Sequence, residues 1–123
     1  MLRTTKAALS TVIATIVAGH AAPDCNVPFV KFISGVTNTG YMWVKSGKSC
    51  SIIVRNSIGG ATKPPEVRQR PSNGALEVNG LALRYTPKAG FVGKDRFEYV
   101  RYAVDNRNNP VSGGIIVEVT VEQ

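Results

Sequence analysis

The sequence predicts an all-β domain, a Greek-key β-sandwich of seven or eight strands. Three observations carry that expectation. From residue 27 onward, apolar and polar residues alternate in short runs, the pattern of strands with one buried face. Twelve Gly and seven Pro in 123 residues punctuate those runs with turns and leave little room for long helices. No window of useful length carries apolar residues at the 3.6-residue spacing of a helix. The length allows one domain with a targeting segment, hardly two domains. With 43% hydrophobic and 19% charged residues, the composition is globular rather than disordered.

The first segment reads as an address. Met1-Leu2-Arg3-Thr4-Thr5-Lys6 precedes an apolar run from Ala7 to Gly19, then His20-Ala21-Ala22-Pro23. A basic start, a short apolar middle and a small-x-small end describe a secretory signal peptide. Gly19 and Ala21 fill the two small positions, so cleavage is expected after Ala21; a cut after Ala22 would leave Pro23 next to it. The apolar run is too short to span a bilayer, which takes about 20 such residues. Ala22-Pro23-Asp24 ahead of Cys25 does not match a lipoprotein box. Residues 1–21 are therefore read as signal peptide and 22–123 as one exported domain, periplasmic or extracellular. Cleavage would remove Arg3, Lys6 and His20, the only histidine. Fifteen Lys and Arg against eight Asp and Glu keep the remainder basic.

Cys25 and Cys50 are the only cysteines. In an oxidising compartment an even pair most simply forms one disulfide, which would tie the mature N-terminus to a strand and contribute about 3 kcal/mol in the loop-entropy model. A metal site would need further soft or imidazole ligands, and a redox pair usually shows C-x-x-C spacing; neither is present.

The expected strands run Val27 to Ile33, Tyr41 to Lys45, Cys50 to Arg55, Glu66 to Arg70, Ala75 to Val78, Leu81 to Thr86, Arg96 to Val104 and Ile115 to Val121. The clearest local feature is Asn79-Gly80 between two alternating runs, the strongest short-range hairpin signal. A two-residue turn there would pair Val78 with Leu81 and Leu76 with Leu83, placing all four on one face and Glu77, Ala82 and Arg84 on the other. In the last run Ile115, Val117, Val119 and Val121 point one way, and Ile116, Glu118 and Thr120 the other. Trp43, the only tryptophan, is expected to fill the core between the sheets, with ligand stacking as the alternative.

Leu83-Arg84-Tyr85-Thr86-Pro87-Lys88-Ala89-Gly90-Phe91-Val92-Gly93-Lys94-Asp95-Arg96-Phe97-Glu98-Tyr99 resembles the Y-x-P-x-x-G-[FY]-x-G-x-D-x-F-x-Y signature of bacterial Ig-like, cadherin-like domains. Arg70-Pro71-Ser72-Asn73-Gly74-Ala75-Leu76 resembles the P-x-x-G-x-[LV] that commonly opens such modules. The match covers about residues 65 to 121. It implies a β-sandwich of the kind found in exported surface and adhesion proteins, although here the signature occurs once rather than in an array. Pro87 would end a strand, Gly90 and Gly93 would allow a tight corner, Asp95 would accept backbone hydrogen bonds in that corner, and Phe97 and Tyr99 would return to the core, with Tyr85 and Phe91 as the remaining signature positions. Some relatives bind calcium through acidic turns. Here Asp105-Asn106-Arg107-Asn108-Asn109 offers one carboxylate beside an arginine, whereas calcium takes several oxygen ligands. No metal and no cofactor are expected.

Catalytic schemes fare no better. Without a mature histidine there is no Ser-His-Asp triad or Cys-His pair. The eight acids show no recognisable glycosidase pair. Lys45, Ser46, Lys48 and Ser49 crowd one turn and read as a solvated hairpin tip. Gly59-Gly60 and Gly113-Gly114 read as turn pairs without the strand-to-helix context of a phosphate loop. No enzyme is predicted. What remains is charge: if their strands shared one sheet, Arg55, Arg68, Arg70 and Arg84 could form a basic patch for an anionic partner. The competing account is a soluble face whose charge blocks edge pairing. The expected partner is another envelope or extracellular protein. An acidic polysaccharide is the alternative, and nucleic acid is disfavoured because no aromatic residues interleave the arginines.

Overall fold

The computed structural model describes residues 23–54 and 63–123; the expected signal peptide, Arg55 and Gly59-Gly60 lie outside the described residues. Among those described there are eight strands and no helix: β1 (Cys25–Asn26), β2 (Thr37–Lys45), β3 (Cys50–Ile53), β4 (Glu66–Gln69), β5 (Gly74–Asn79), β6 (Ala82–Pro87), β7 (Gly93–Val104) and β8 (Pro110–Glu122). They form a five-stranded sheet, β1-β2-β8-β7-β4, and a three-stranded sheet, β3-β6-β5.

The two longest strands organise the larger sheet. β7 and β8 pair antiparallel without interruption from Gly93↔Val121 to Val104↔Pro110. On β8 the alternation read from sequence is realised, with Ile115, Val117, Val119 and Val121 buried. The turn joining the strands is held by Asp105, whose carboxylate accepts from the backbone N–H of Arg107 (2.9 Å) and Asn109 (2.8 Å). Those bonds hold its pKa below the usual carboxylate range, the one from Asn109 contributing most. On its other side β8 pairs parallel with β2, from Thr37↔Gly114 to Lys45↔Glu122.

One core joins the sheets. Met42, Val44, Phe97, Tyr99, Ile115, Val117, Val119 and Val121 from the larger sheet meet Cys50, Leu76, Leu83 and Tyr85 from the smaller one. Burial of Tyr99 pushes its phenol pKa up to about 12. The two sides of the stack are clipped differently. Edge strands β1 and β3 are joined by the Cys25–Cys50 disulfide. At the opposite edges, Arg70, just past β4, donates from Nη1 to the Leu76 carbonyl of β5 at 3.1 Å.

Four expectations are corrected. Val27 to Ile33 is not a strand: pairing stops at Asn26, because Pro28 has no N–H to donate to a ladder, and Val27 and Val30 instead pack against the core. The hairpin register is Val78↔Leu83 and Leu76↔Tyr85, not Val78 with Leu81. Asn79 pairs with Ala82, and the turn centres on Gly80 (φ 59°) and Leu81, since only Gly80 takes the positive φ that a two-residue turn opening on glycine requires. The shift is two residues, so Leu76, Val78 and Leu83 keep their common face. Gly113-Gly114 is not a turn but lies inside β8, where residues 33–36 pass close by; a Cβ on Gly113 would sit 2.8 Å from the Ile33 carbonyl oxygen. Finally, Trp43 does not fill the core. It points out of the larger sheet, 36% exposed, while its neighbours Met42 and Val44 are buried.

Candidate functional site

The residues of the Tyr85-to-Tyr99 motif converge on a structural node. Tyr85, Asp95, Phe97 and Tyr99 are buried, Pro87 closes β6 in a buried position, and Phe91 packs half-buried against the core. Gly90 and Gly93 both take positive φ, 77° and 142°. Asp95 accepts four hydrogen bonds: at Oδ1 from the backbone N–H of Ser72 (3.0 Å) and Arg96 (2.8 Å), and at Oδ2 from the N–H of Asn73 (3.0 Å) and the Tyr85 hydroxyl (2.7 Å). Two of its donors thus come from the β4–β5 connection, one from β6 and one from β7, and none from the Pro87–Gly93 corner. Burial, with the bond to Asp95 adding to it, raises the Tyr85 pKa. With all four contacts made, this carboxylate holds the two sheets in place and presents no open coordination or proton-transfer position.

Of the four arginines, the three that are described are not brought together. Arg68 lies on β4 in the five-stranded sheet and pairs with Glu98 at 3.6 Å. Arg84 lies on β6 in the three-stranded sheet, in register with Glu77, and its Nη2 donates to Ser49 Oγ at 3.3 Å. Arg70 is engaged with the Leu76 carbonyl, and Arg55 is outside the described residues. Because the chain changes sheets between β3 and β4, the outward faces carrying Arg84 and Arg68 look in opposite directions, and the single-sheet condition for a basic patch fails. The Lys45–Ser49 turn is likewise committed: Ser46 Oγ donates to the Phe91 carbonyl at 3.0 Å, and the Ser49 and Thr86 hydroxyls lie 2.8 Å apart. Among the described residues no group of three or more His, Cys, Asp or Glu could hold a metal ion.

The surface feature that the fold leaves unused is on the outer face of the five-stranded sheet. Tyr41 (51% exposed) and Trp43 project side by side from β2, with ring centroids 6.0 Å apart and planes inclined by 26°. Register fixes their surroundings: Trp43 lies between Asn26 of β1 and Thr120 of β8, and Tyr41 lies beside Glu118. Glu118 is paired with Arg96 at 3.6 Å and Glu122 with Lys45 at 3.9 Å, while Lys94 Nζ donates to the Thr120 hydroxyl at 2.7 Å. Past Tyr41 the surface dips into an open hollow of about 380 Å³ bounded by Phe29, Lys31, Ile33, Asn38 and Thr39. Phe29 is 83% exposed, and Asn38 Nδ2 donates to the Lys31 carbonyl at 2.7 Å. A second hollow, about 420 Å³, opens between the sheets and is lined mainly by apolar side chains with Tyr99 and Arg101; Arg101 lies over the Phe32 ring at 4.9 Å.

Sequence reasoning singles out Trp43 but assigns it inward, and does not single out Tyr41 or Phe29. No protein-family model and no curated protein matches the chain.

Proposed function

We propose that the protein is an exported, non-catalytic Ig-like domain that acts as a binding or assembly subunit of the cell envelope or extracellular space. The Ig-like reading is supported by the strand order: β3-β6-β5 faces β2-β8-β7-β4, β2 runs parallel to β8, and the chain crosses between sheets after β2, β3, β4 and β6, a Greek-key arrangement. The resemblance over residues 65 to 121 agrees with it. The Cys25–Cys50 bridge favours an oxidising compartment, in keeping with the signal-like start.

The observation that carries a binding role is the outward Tyr41–Trp43 stack. Large aromatic side chains contribute most to a core when buried, and side by side on a surface they supply contact area to a partner. An arginine-based anion site is the weaker reading, since Arg68 and Arg84 occupy opposed sheets and Arg68, Arg70 and Arg84 are tied into intramolecular contacts. Binding would therefore be governed by the aromatic face and be little affected by salt. The test is capture of partners from the envelope of the producing cell at low and high salt, with the parent protein and the Tyr41→Ala/Trp43→Ala double variant, both checked for fold by circular dichroism. Capture should persist at high salt and disappear with the double variant. Capture lost at high salt, or indifferent to the double substitution, overturns this reading.

A further inference from the structure

We propose that Tyr41 and Trp43 form the stacking floor of a site for an uncharged glycan chain built of β-linked pyranose rings with equatorial hydroxyls. This deepens the binding role proposed above and rests on the outer face of the five-stranded sheet being the recognition surface.

A ring of that configuration carries its hydroxyls around the rim and only C–H groups on its two flat faces. The faces behave as apolar surface toward an aromatic ring, whose π face is electron-rich. The rim needs hydrogen-bonding partners at the same height. Two exposed, near-parallel rings with centroids 6.0 Å apart can each take one of two neighbouring sugar units. Asn26 and Thr120 flank Trp43, and Glu118 flanks Tyr41, each one strand spacing away, about 4.8 Å. Further along β2, Thr39 continues the outward face, and beyond it the strand edge opens into the hollow bounded by Phe29 and Lys31. The face is unenclosed, which suits internal units of a chain rather than a single sugar.

Charge selects among ligands. The carboxylates nearest the rings, Glu118 and Glu122, are each compensated by a basic partner, Arg96 and Lys45. Lys94, on Thr120 beside Trp43, adds one more ammonium, so three cations stand against two carboxylates. The face offers charged-group donors and acceptors with only a small net field, which complements a neutral polyol. The same residues argue against a protein partner. The centre of a protein–protein interface is depleted of charged side chains, yet here Glu118 lies beside Tyr41 and Lys45 follows Trp43 on the same face of β2, with Arg96 and Glu122 as their ion partners.

The chain has one tryptophan, so its fluorescence reports the proposed site alone. The purified, disulfide-bonded protein would be titrated with cellohexaose and with chitohexaose at low and high salt. The expected result is a saturable change in Trp43 emission with at least one of them, with an affinity that stays within about twofold as salt is raised. Tyr41→Ala, which retains the reporter, should weaken that affinity about tenfold, in line with loss of one stacked ring. Absence of a saturable change with both sugars overturns the glycan assignment, and binding that collapses at high salt overturns its uncharged character. If the sugars fail while envelope capture still depends on Tyr41 and Trp43, the binding role stands and its partner is a protein.

Discussion

Replacing Asp95 by Ala should cost about 4 kcal/mol of folding stability, and replacing it by Asn about half as much. Asp95 is buried and accepts from Ser72, Asn73, Arg96 and Tyr85. Removing the carboxylate leaves three backbone N–H groups that are only partly buried, so water recovers some of each loss, at about 1 kcal/mol apiece. The Tyr85 hydroxyl is different. Its residue is fully buried, and leaving it without a partner costs about 1–2 kcal/mol. An Asn side chain keeps one acceptor oxygen. If that oxygen takes the Oδ1 position, Ser72 and Arg96 remain satisfied. The new NH2 can then donate to the rotated Tyr85 hydroxyl, and only the Asn73 N–H is turned away. The opposite orientation would set the NH2 against two N–H donors, which is why it is disfavoured. Urea unfolding followed by circular dichroism measures both variants from the shift in midpoint at a common slope. A domain with ordinary stability of about 5–15 kcal/mol leaves the Asp95→Asn variant folded even if Asp95→Ala is too severe. A cost for Asp95→Ala below about 0.5 kcal/mol would refute the node, because four charge-assisted bonds cannot be lost so lightly. Asp95→Asn as damaging as Asp95→Ala would refute the orientation argument. Tyr85→Phe, expected to cost about 1 kcal/mol alone, should cost less in the Asp95→Asn background, where the bond it removes is neutral rather than charge-assisted.

Replacing both Cys25 and Cys50 by Ser opens a bridge with a sequence separation of 25 and should lower stability by about 3 kcal/mol; a double variant as stable as the parent would show that β1 and β3 stay joined without it. Raised phenol pKa values make the domain sensitive to alkali. Tyr99 has an ordinary value of 10.0 and a folded value of about 12, so above pH 10 the unfolded chain loses its proton first, and stability falls from pH 10 to 12 by up to about 3 kcal/mol. Tyr99→Phe should flatten that limb of a pH–stability curve measured by chemical denaturation, and an unchanged limb would clear Tyr99 of responsibility. Gly113→Ala puts a methyl group 2.8 Å from the Ile33 carbonyl and 2.9 Å from the Phe32 ring; it should cost about 1–3 kcal/mol in thermal unfolding, and a neutral result would mean that residues 32–36 move aside freely.

Local pattern is decisive where only one face of a strand can be buried. On β8 only one parity is uniformly apolar, so its buried set is unambiguous, and the hairpin faces survive because a two-residue register shift preserves side-chain parity. The pairing of Cys25 with Cys50 needs only a count. What depends on distant neighbours is not legible. The arginines can be judged only by knowing which sheet each strand joins, and the change of sheet between β3 and β4 is a long-range property with no local mark. Gly113-Gly114 looks like punctuation until residues 33–36 are seen crossing it. Pro28 does carry a signal: a strand containing it lacks a donor, and that missing donor outweighs the alternation around it.

The placement of Trp43 has a more general cause, and it bears on function. Tyr41, Met42, Trp43 and Val44 are apolar at both parities, so alternation cannot say which face of β2 turns inward, and a preference for burying the largest side chain chooses Trp43. The choice is made instead by the neighbouring strand. In the parallel register Met42 falls beside Val119 and Val44 beside Val121, the parity of β8 that already faces the core, and Val44 also meets Cys25 of the clipped edge. Tyr41 and Trp43 are thereby carried outward as a pair. Burying either would contribute about 2 kcal/mol or more, a gain that is forgone at 41 and 43. Retaining two aromatic rings there, aligned with each other and bordered by Asn26, Thr120 and a compensated Glu118, makes sense when something is bound against them.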